Sequence, residues 1–366
     1  MTGHRPTLPA TACSEPARCL IHPRDLIELL RGPAALSVPG DVLVGAAAAG
    51  RPVDVRTLGT MASSVCLYWA GMALNDYADA AVDAVERPER PIPSRRVPRR
   101  AALALASGLT AAGLGLSVAA GGRRGLVRAL PLAAVVWAYD LKLKATPAGP
   151  AAMAAARALD VFMGALPGAP ARRASSPVPP GASGPAGQAA PRGGRSAGPM
   201  SRHAADRSLW KRAAVPAALI GTHTYTVTAL SRHEVAGASP RLPATTLAAS
   251  LTTALAAAGP APRTVSALLS RTGGARAPRR PRRPAPSAAV ASAALLSYAG
   301  AYGSAQLRAV REPSGDHVQR AVAAGILSLI PLQAALAARA GAPAAAAVLG
   351  LGHPLARRLA RRICPT

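Results

Sequence analysis

Ten apolar blocks divide this chain, at 33–49, 57–74, 101–120, 126–141, 149–166, 213–230, 244–258, 286–302, 321–338 and 342–352. Half of the 366 residues are hydrophobic, yet only 3% are aromatic and there is a single Phe. Soluble cores lean on aromatic area, whereas these blocks are made of Ala, Leu and Val. Most approach the roughly 20 residues that carry a helix across a bilayer. Hydrocarbon leaves no water for unpaired backbone groups, so a chain of such blocks must satisfy its N–H and C=O groups within helices. No run of alternating β-branched residues suggests strands. The pattern predicts an all-α, multi-spanning transmembrane bundle of about nine helices, a multi-pass protein of the cell membrane. Ala and Gly richness suits close helix packing. The competing fold is an Ala-rich soluble bundle.

The polar segments set the organisation. Residues 1–30 form a polar lead-in with a short amphipathic piece, DLIELLR, at 25–31. A single transmembrane domain then runs over 31–352. Flexible insertions interrupt it at 167–210 and 271–286, and a basic tail follows at 353–366. Within 167–201, Pro, Gly and Ser make up 20 of 35 residues, a linker composition. Orientation signals conflict. The six Arg of 76–100 favour the cytoplasm, but a nine-span count puts the basic loops at 167–212 and 261–286 outside. The net charge of +27 invites a nucleic-acid reading. The Arg residues, however, lie between apolar blocks without aromatic residues for base stacking. Anionic headgroups and a phosphorylated ligand account for the charge, with no nucleic acid.

Against that basic background one acidic segment stands out. Of 16 Asp and Glu residues, Asp76, Asp79, Asp83, Glu86 and Glu89 fall within 14 positions. In NDYADAAVD, Asn75, Asp79 and Asp83 succeed one another at intervals of four, and Asp76 lies three before Asp79. On a helix these side chains share one face. Like charges so placed repel unless a cation lies between them, and a hard divalent ion with oxygen ligands fits best. The plainer alternative is that the acids pair with the Arg residues that follow, in ERPERPIPSRRV at 86–97.

NDxxDxxxD at the end of a second apolar block, followed by RPIPS at 90–94, resembles the UbiA-type intramembrane prenyltransferases. The resemblance extends over about 31–170 and 211–340 and implies the membrane bundle. It also implies transfer of a prenyl group from an isoprenyl diphosphate to an acceptor the sequence does not identify. Carried over, Asn75, Asp76, Asp79 and Asp83 are the Mg2+ and diphosphate site and Arg90 lies by the phosphates. Asp76, Asp79 and Asp83 are then the catalytic set. In WAYDLKLKATPAGP, Tyr139 and Lys142 match the family's YSxxKR in register, with Lys144 beside them. These lysines either contact diphosphate or snorkel at a helix end.

Arg157 and Asp160, three apart in an apolar block, form either a cavity-lining ion pair or a purely structural one. The family's second Asp-rich motif belongs at 221–237, where GTHTYTVTALSRHEVAG offers only Glu234, with His223 as possible support. This departure suits the EboC-like branch. It also keeps a second reading open, a non-catalytic isoprenoid- or lipid-binding membrane protein of the same fold. Membrane lipids are partners under either reading.

Overall fold

The computed structural model describes residues 22–30, 37–165, 199–259 and 286–363. They form helices without strands: α1 (Pro23–Leu29), α2 (Val38–Ala48), α3 (Val55–Glu86), α4 (Arg99–Ala138), α5 (Gly149–Ala165), α6 (Pro199–Ser231), α7 (Arg241–Ala258), α8 (Pro286–Tyr298), α9 (Ser304–Arg311), α10 (Gly315–Arg339) and α11 (Pro343–Ile363). Single π-helical turns, Tyr139–Leu143 and Ala299–Gly303, follow α4 and α8. The all-α bundle read from the apolar blocks is therefore what folds. Two stretches among the described residues, Arg99–Leu143 and Gly315–Arg339, are long and apolar enough to cross a membrane. The remaining blocks are shorter, or diluted by Ala and polar residues.

α10 lies at the centre, packed against α2, α6, α8 and α11, and from Ser328 to Ala338 every residue is buried. α3 and α4 form the most extensive helix pair, followed by α5 and α6. At Gly122 the backbone turns to φ 61° and ψ −151°, a conformation open essentially to glycine. There α4 reverses into a hairpin of two arms. A Cβ on Gly125 would strike the Ser117 carbonyl, eight residues back. α3 fits against both arms: Gly59 meets Ala120, Gly113 meets Leu67, and Gly71 meets Val136. The hairpin corner thus lies beside the first turns of α3, and the free ends of both arms lie beside its last turns.

α2 crosses α5 at backbone distance, since a Cβ on Gly45 or Gly164 would collide with the carbonyl of Val161 or Val42. Beside this crossing lies a buried polar network. Arg157 of α5 pairs with Asp41 of α2 at 2.9 Å, donates to Ser37 Oγ at 2.7 Å and lies over the Tyr68 ring of α3. Gln333 of α10 donates to Asp41 Oδ1 at 2.6 Å and to the Ser37 carbonyl at 2.8 Å. This corrects the expected Arg157–Asp160 pair. The long guanidinium stem reaches across to α2, while the short Asp160 side chain stays fully buried on its own helix beside Ser64.

Two further expectations change. α6 begins at Pro199, inside the stretch read as a flexible insertion to 210. α11 continues to Ile363, through most of the supposed tail at 353–366. Ala and Arg are both strong helix formers, and their abundance at 204–213 and 355–362 outweighs the basic, linker-like look. Residues 167–198 and 271–285 lie outside the described residues.

Three stability effects follow. Gly164→Ala forces α2 and α5 apart and should cost about 2 kcal/mol or more. Gly108→Ala, which meets open space, should be neutral or gain up to about 1 kcal/mol. Arg157→Gln strips the buried Asp41 of its counter-charge and should cost about 3 kcal/mol. Thermal unfolding of the detergent-solubilised chain measures all three.

Candidate functional site

The last turns of α3 carry the acid cluster. Asp76 and Asp83, two turns apart, are buried, while Asn75 and Asp79 are half-buried. The 87–98 connection then folds back over them. Arg90 Nη1 reaches Asp83 Oδ2 at 2.7 Å and Asp76 Oδ1 at 3.4 Å. One nitrogen therefore touches two carboxylates from different turns. The connection is held by its own backbone bonds: Ser94 N–H to the Arg90 carbonyl at 3.0 Å, and Val97 N–H to the Pro91 carbonyl at 2.9 Å. The Ser94 hydroxyl also donates to the Arg90 carbonyl, at 2.6 Å.

Apolar packing anchors this connection. Ile92 is buried with Leu29, Ala73, Leu74, Ala102 and Ala106, so α1 presses on it from outside. Arg96 ties the same pieces together: it bonds Asp25, bonds Glu28 at 3.0 Å, and donates to the Glu89 carbonyl at 2.7 Å. Glu28, with Asp25, raises the Arg96 guanidinium above its ordinary range. Behind it, Arg99 donates to the Tyr77 carbonyl at 3.0 Å and stacks over the Tyr77 ring. Arg90 is thus positioned by a short helix, a turn and a salt-bridged lid, and not by a flexible stem alone.

The π turn at the end of α4 supplies the second wall. Lys144 Nζ pairs with Asp79 Oδ1 at 2.5 Å. Asp140, buried, accepts from Asn75 Nδ2 at 3.3 Å. Gly71 allows this approach, since a Cβ there would come 3.2 Å from the Asp140 carboxylate. A third wall comes from the turn after α6. Arg232 donates to the carbonyls of Thr146, at 2.5 Å, and Ala145, at 3.4 Å, next to Lys144. The result is a polar end of the bundle where Asp76, Asp79, Asp83 and Asp140 are interleaved with Arg90, Lys144 and Arg232.

The sequence-derived residues divide accordingly. Asn75, Asp76, Asp79, Asp83, Arg90 and Lys144 come together. Tyr139 is half-buried in the π turn and Lys142 is exposed on it. Glu234 sits in the turn that carries Arg232, and the backbone of that turn packs on Gly315. His223 lies elsewhere: it is fully buried, eight residues or about 12 Å along α6 before Ser231. Its Nδ1 is 3.1 Å from Tyr298 Oη and its Nε2 3.1 Å from the Gly325 carbonyl. Tyr298 and Tyr302 meet it edge-on. It is a satisfied core histidine and not a partner of Glu234. Arg157 and Asp160 belong to the interior network around Asp41. Sequence reasoning passed over Asp140, set between Tyr139 and the lysines of DLKLK, and Arg232, two residues before Glu234.

Among the described residues no three His, Cys, Asp or Glu side chains gather closely enough to hold a metal ion by themselves. Magnesium does not need such a cage; it is commonly held by one or two carboxylates together with substrate phosphates and water. Arg90 Nη1 marks a point that a cation can share between Asp76 and Asp83, both hard oxygen donors. The residues present therefore fit magnesium in the presence of a phosphorylated ligand.

Residues 40–180 match the model of the UbiA prenyltransferase family. The digeranylgeranylglyceryl phosphate synthase of Methanopyrus kandleri is 39% identical over 126 residues, 34% of this chain and 45% of that protein. The bacteriochlorophyll synthase 33 kDa chain of Rhodobacter capsulatus is 30% identical over 132 residues, 34% of this chain and 42% of that one. The chain thus matches under half the length of these curated relatives. Two solved structures share the fold. One, of a digeranylgeranylglyceryl phosphate synthase, has a TM-score of 0.51 at 12% identity and covers 87% of this chain and 98% of its own. The other, a UbiA homologue from Aeropyrum pernix K1, has a TM-score of 0.50 at 19% identity and covers 81% and 95%. The matched stretch contains α3 with its acid cluster, the Arg90 connection and the Lys144 turn, and over that stretch the chain is similar to the UbiA prenyltransferase family.

Proposed function

We propose that this chain is a multi-pass protein of the cell membrane that transfers a prenyl group from an isoprenyl diphosphate to a nucleophilic acceptor. The observation that carries the reading is Arg90 Nη1 lying against two buried carboxylates, with Lys144 and Arg232 on the facing wall. Acids of this kind are costly near a membrane and persist where they bind ligands. Asp76 and Asp83 would hold magnesium, with Asn75 and Asp79 alongside. When bound, the ion supplies positive charge that lowers the cost of diphosphate departure.

The chain's own residues do the rest. Arg90 and Lys144 are salt-bridged to the acids, and diphosphate oxygens compete for the same N–H donors. In a low-dielectric site such fixed cations stabilise charge as it develops. The allylic C–O bond breaks and its electron pair leaves with the diphosphate. The acceptor supplies the pair for the new bond and releases a proton. The names of the relatives make a geranylgeranyl diphosphate donor and a glyceryl phosphate acceptor the first pair to try. Glu234, alone where the family's second acidic motif belongs, favours the EboC-like branch.

The same salt bridges favour a second reading. Asp76, Asp79 and Asp83 each face a cation of the chain, as in a binding protein of this fold that holds an isoprenoid or lipid without turnover. Magnesium-dependent retention of diphosphate with no product separates it from the first.

Radiolabelled geranylgeranyl diphosphate with magnesium tests the proposal on the purified chain. Asp76→Asn and Asp83→Asn should each reduce turnover about a hundredfold or more; unchanged rates would sink the assignment. Lys144→Met should weaken diphosphate binding by about tenfold, the loss of one charge-assisted contact. His223→Phe should leave the affinity for diphosphate unaltered, because both ring nitrogens are engaged in the core.

A further inference from the structure

α2, α3 and α5 each bring two polar residues into the interior of the bundle: Ser37 and Asp41 at the start of α2, Ser64 and Tyr68 on α3, and Arg157 and Asp160 on α5. The members of each pair stand three or four positions apart, so they share a face. Asp41, Ser64 and Asp160 have no exposed surface at all. The group lies about 12 Å or more from Asp76, counted along α3 from Tyr68. It is therefore distinct from the acid cluster at the end of the bundle.

The charges in this interior do not balance. Two carboxylates share one guanidinium, so one negative charge is left over. Arg157 is engaged on the Asp41 side, by the 2.9 Å ion pair, the bond to Ser37 Oγ and its place over the Tyr68 ring. At Asp160 the repulsion from Asp41 outweighs the attraction of Arg157, and among the described residues no other charged group acts on it. Neither Asp160 oxygen has a hydrogen-bond partner, and the Ser64 hydroxyl stands beside that carboxylate without closing a hydrogen bond to it. A buried carboxylate left in this state is strongly unfavourable, and buried polar atoms in a native fold have partners.

We propose that Asp160 and Ser64 hold a monovalent metal cation, sodium or potassium, which joins α5 to α3 inside the bundle. Hard cations take oxygen ligands, and one positive charge restores the balance where a divalent ion would overshoot it. The Tyr68 hydroxyl, buried without a hydrogen bond and within electrostatic reach of Asp160, adds a further oxygen to the same region. The competing neutraliser is a proton on Asp160. A proton removes the charge but leaves the Asp160 and Ser64 oxygens unpaired, and it predicts no response to the choice of salt cation.

The test uses the full chain in detergent, freed of magnesium and exchanged into choline chloride. Thermal unfolding is then followed in sodium, potassium and choline chloride at equal ionic strength. The wild type should gain about 2 °C or more in sodium or potassium at ten times the midpoint concentration, and the gain should saturate. The ion that acts at the lower concentration names the occupant. Asp160→Asn should lose the response. Ser64→Ala should raise the midpoint concentration about tenfold, the size expected for one lost contact to a charged group. Asp316→Asn, exposed at the start of α10, should respond as the wild type does. Equal melting in all three salts overturns the proposal. So does an undiminished response in Asp160→Asn or, if that variant does not fold, in Ser64→Ala.

Discussion

Carboxylates packed at the end of an apolar bundle need counter-charge, and here Arg90 provides it for two of them at once. Its Nη1 atom joins turns of α3 separated by seven residues. Once that contact is made, the 87–98 connection has to lie over the helix end. Ile92 then falls into the cluster with Leu29 and Leu74, and Arg96 meets α1. The same constraint works from the other side, where Asp79 draws Lys144 and so fixes the π turn after α4. The acids therefore organise both connections around them, and the site geometry is a consequence of charge neutralisation as much as of apolar packing.

The interior network around Asp41 obeys the same rule with different partners. Asp41 is fully buried, and its charge is met by Arg157 and its remaining lone pairs by Gln333. Three helices, α2, α5 and α10, are tied by these bonds close to a crossing that glycine alone permits. Ion pairs of this kind specify an arrangement more than they add net stability. In a bundle whose apolar faces are mostly Ala, with few shapes to interlock, such specificity matters more than usual.

What could be read beforehand was whatever depends on local spacing. The helical register of Asn75, Asp76, Asp79 and Asp83 follows from the 3.6-residue period, and α1 from the amphipathic DLIELLR. Arg90 was singled out by the RPIPS resemblance, while the residues alone pointed only to pairing of the acids with the arginines that follow them. Pairings between distant elements were not legible. Asp41 stands 116 positions from Arg157 inside an apolar block, and nothing local singles it out. Asp140 was hidden by the lysines around it, since its role rests on Gly71 letting α4 approach α3. His223 looked functional because a polar residue in an apolar block does; Tyr298 and the Gly325 carbonyl, which satisfy it, lie 75 and 102 residues away. The helical course of 199–210 and 353–363 shows composition outweighed by helix propensity.

The reversal of α4 at Gly122 has a consequence for how force travels. Because α3 is held between two antiparallel arms, neither end of it can shift along the axis without shearing both arms. A shift at the hairpin corner is then mechanically continuous with the π turn some 20 residues on, where Asp140 and Lys144 sit. The two ends of the bundle are joined here by a stiff three-rod splint, and slack is confined to the glycine at its bend.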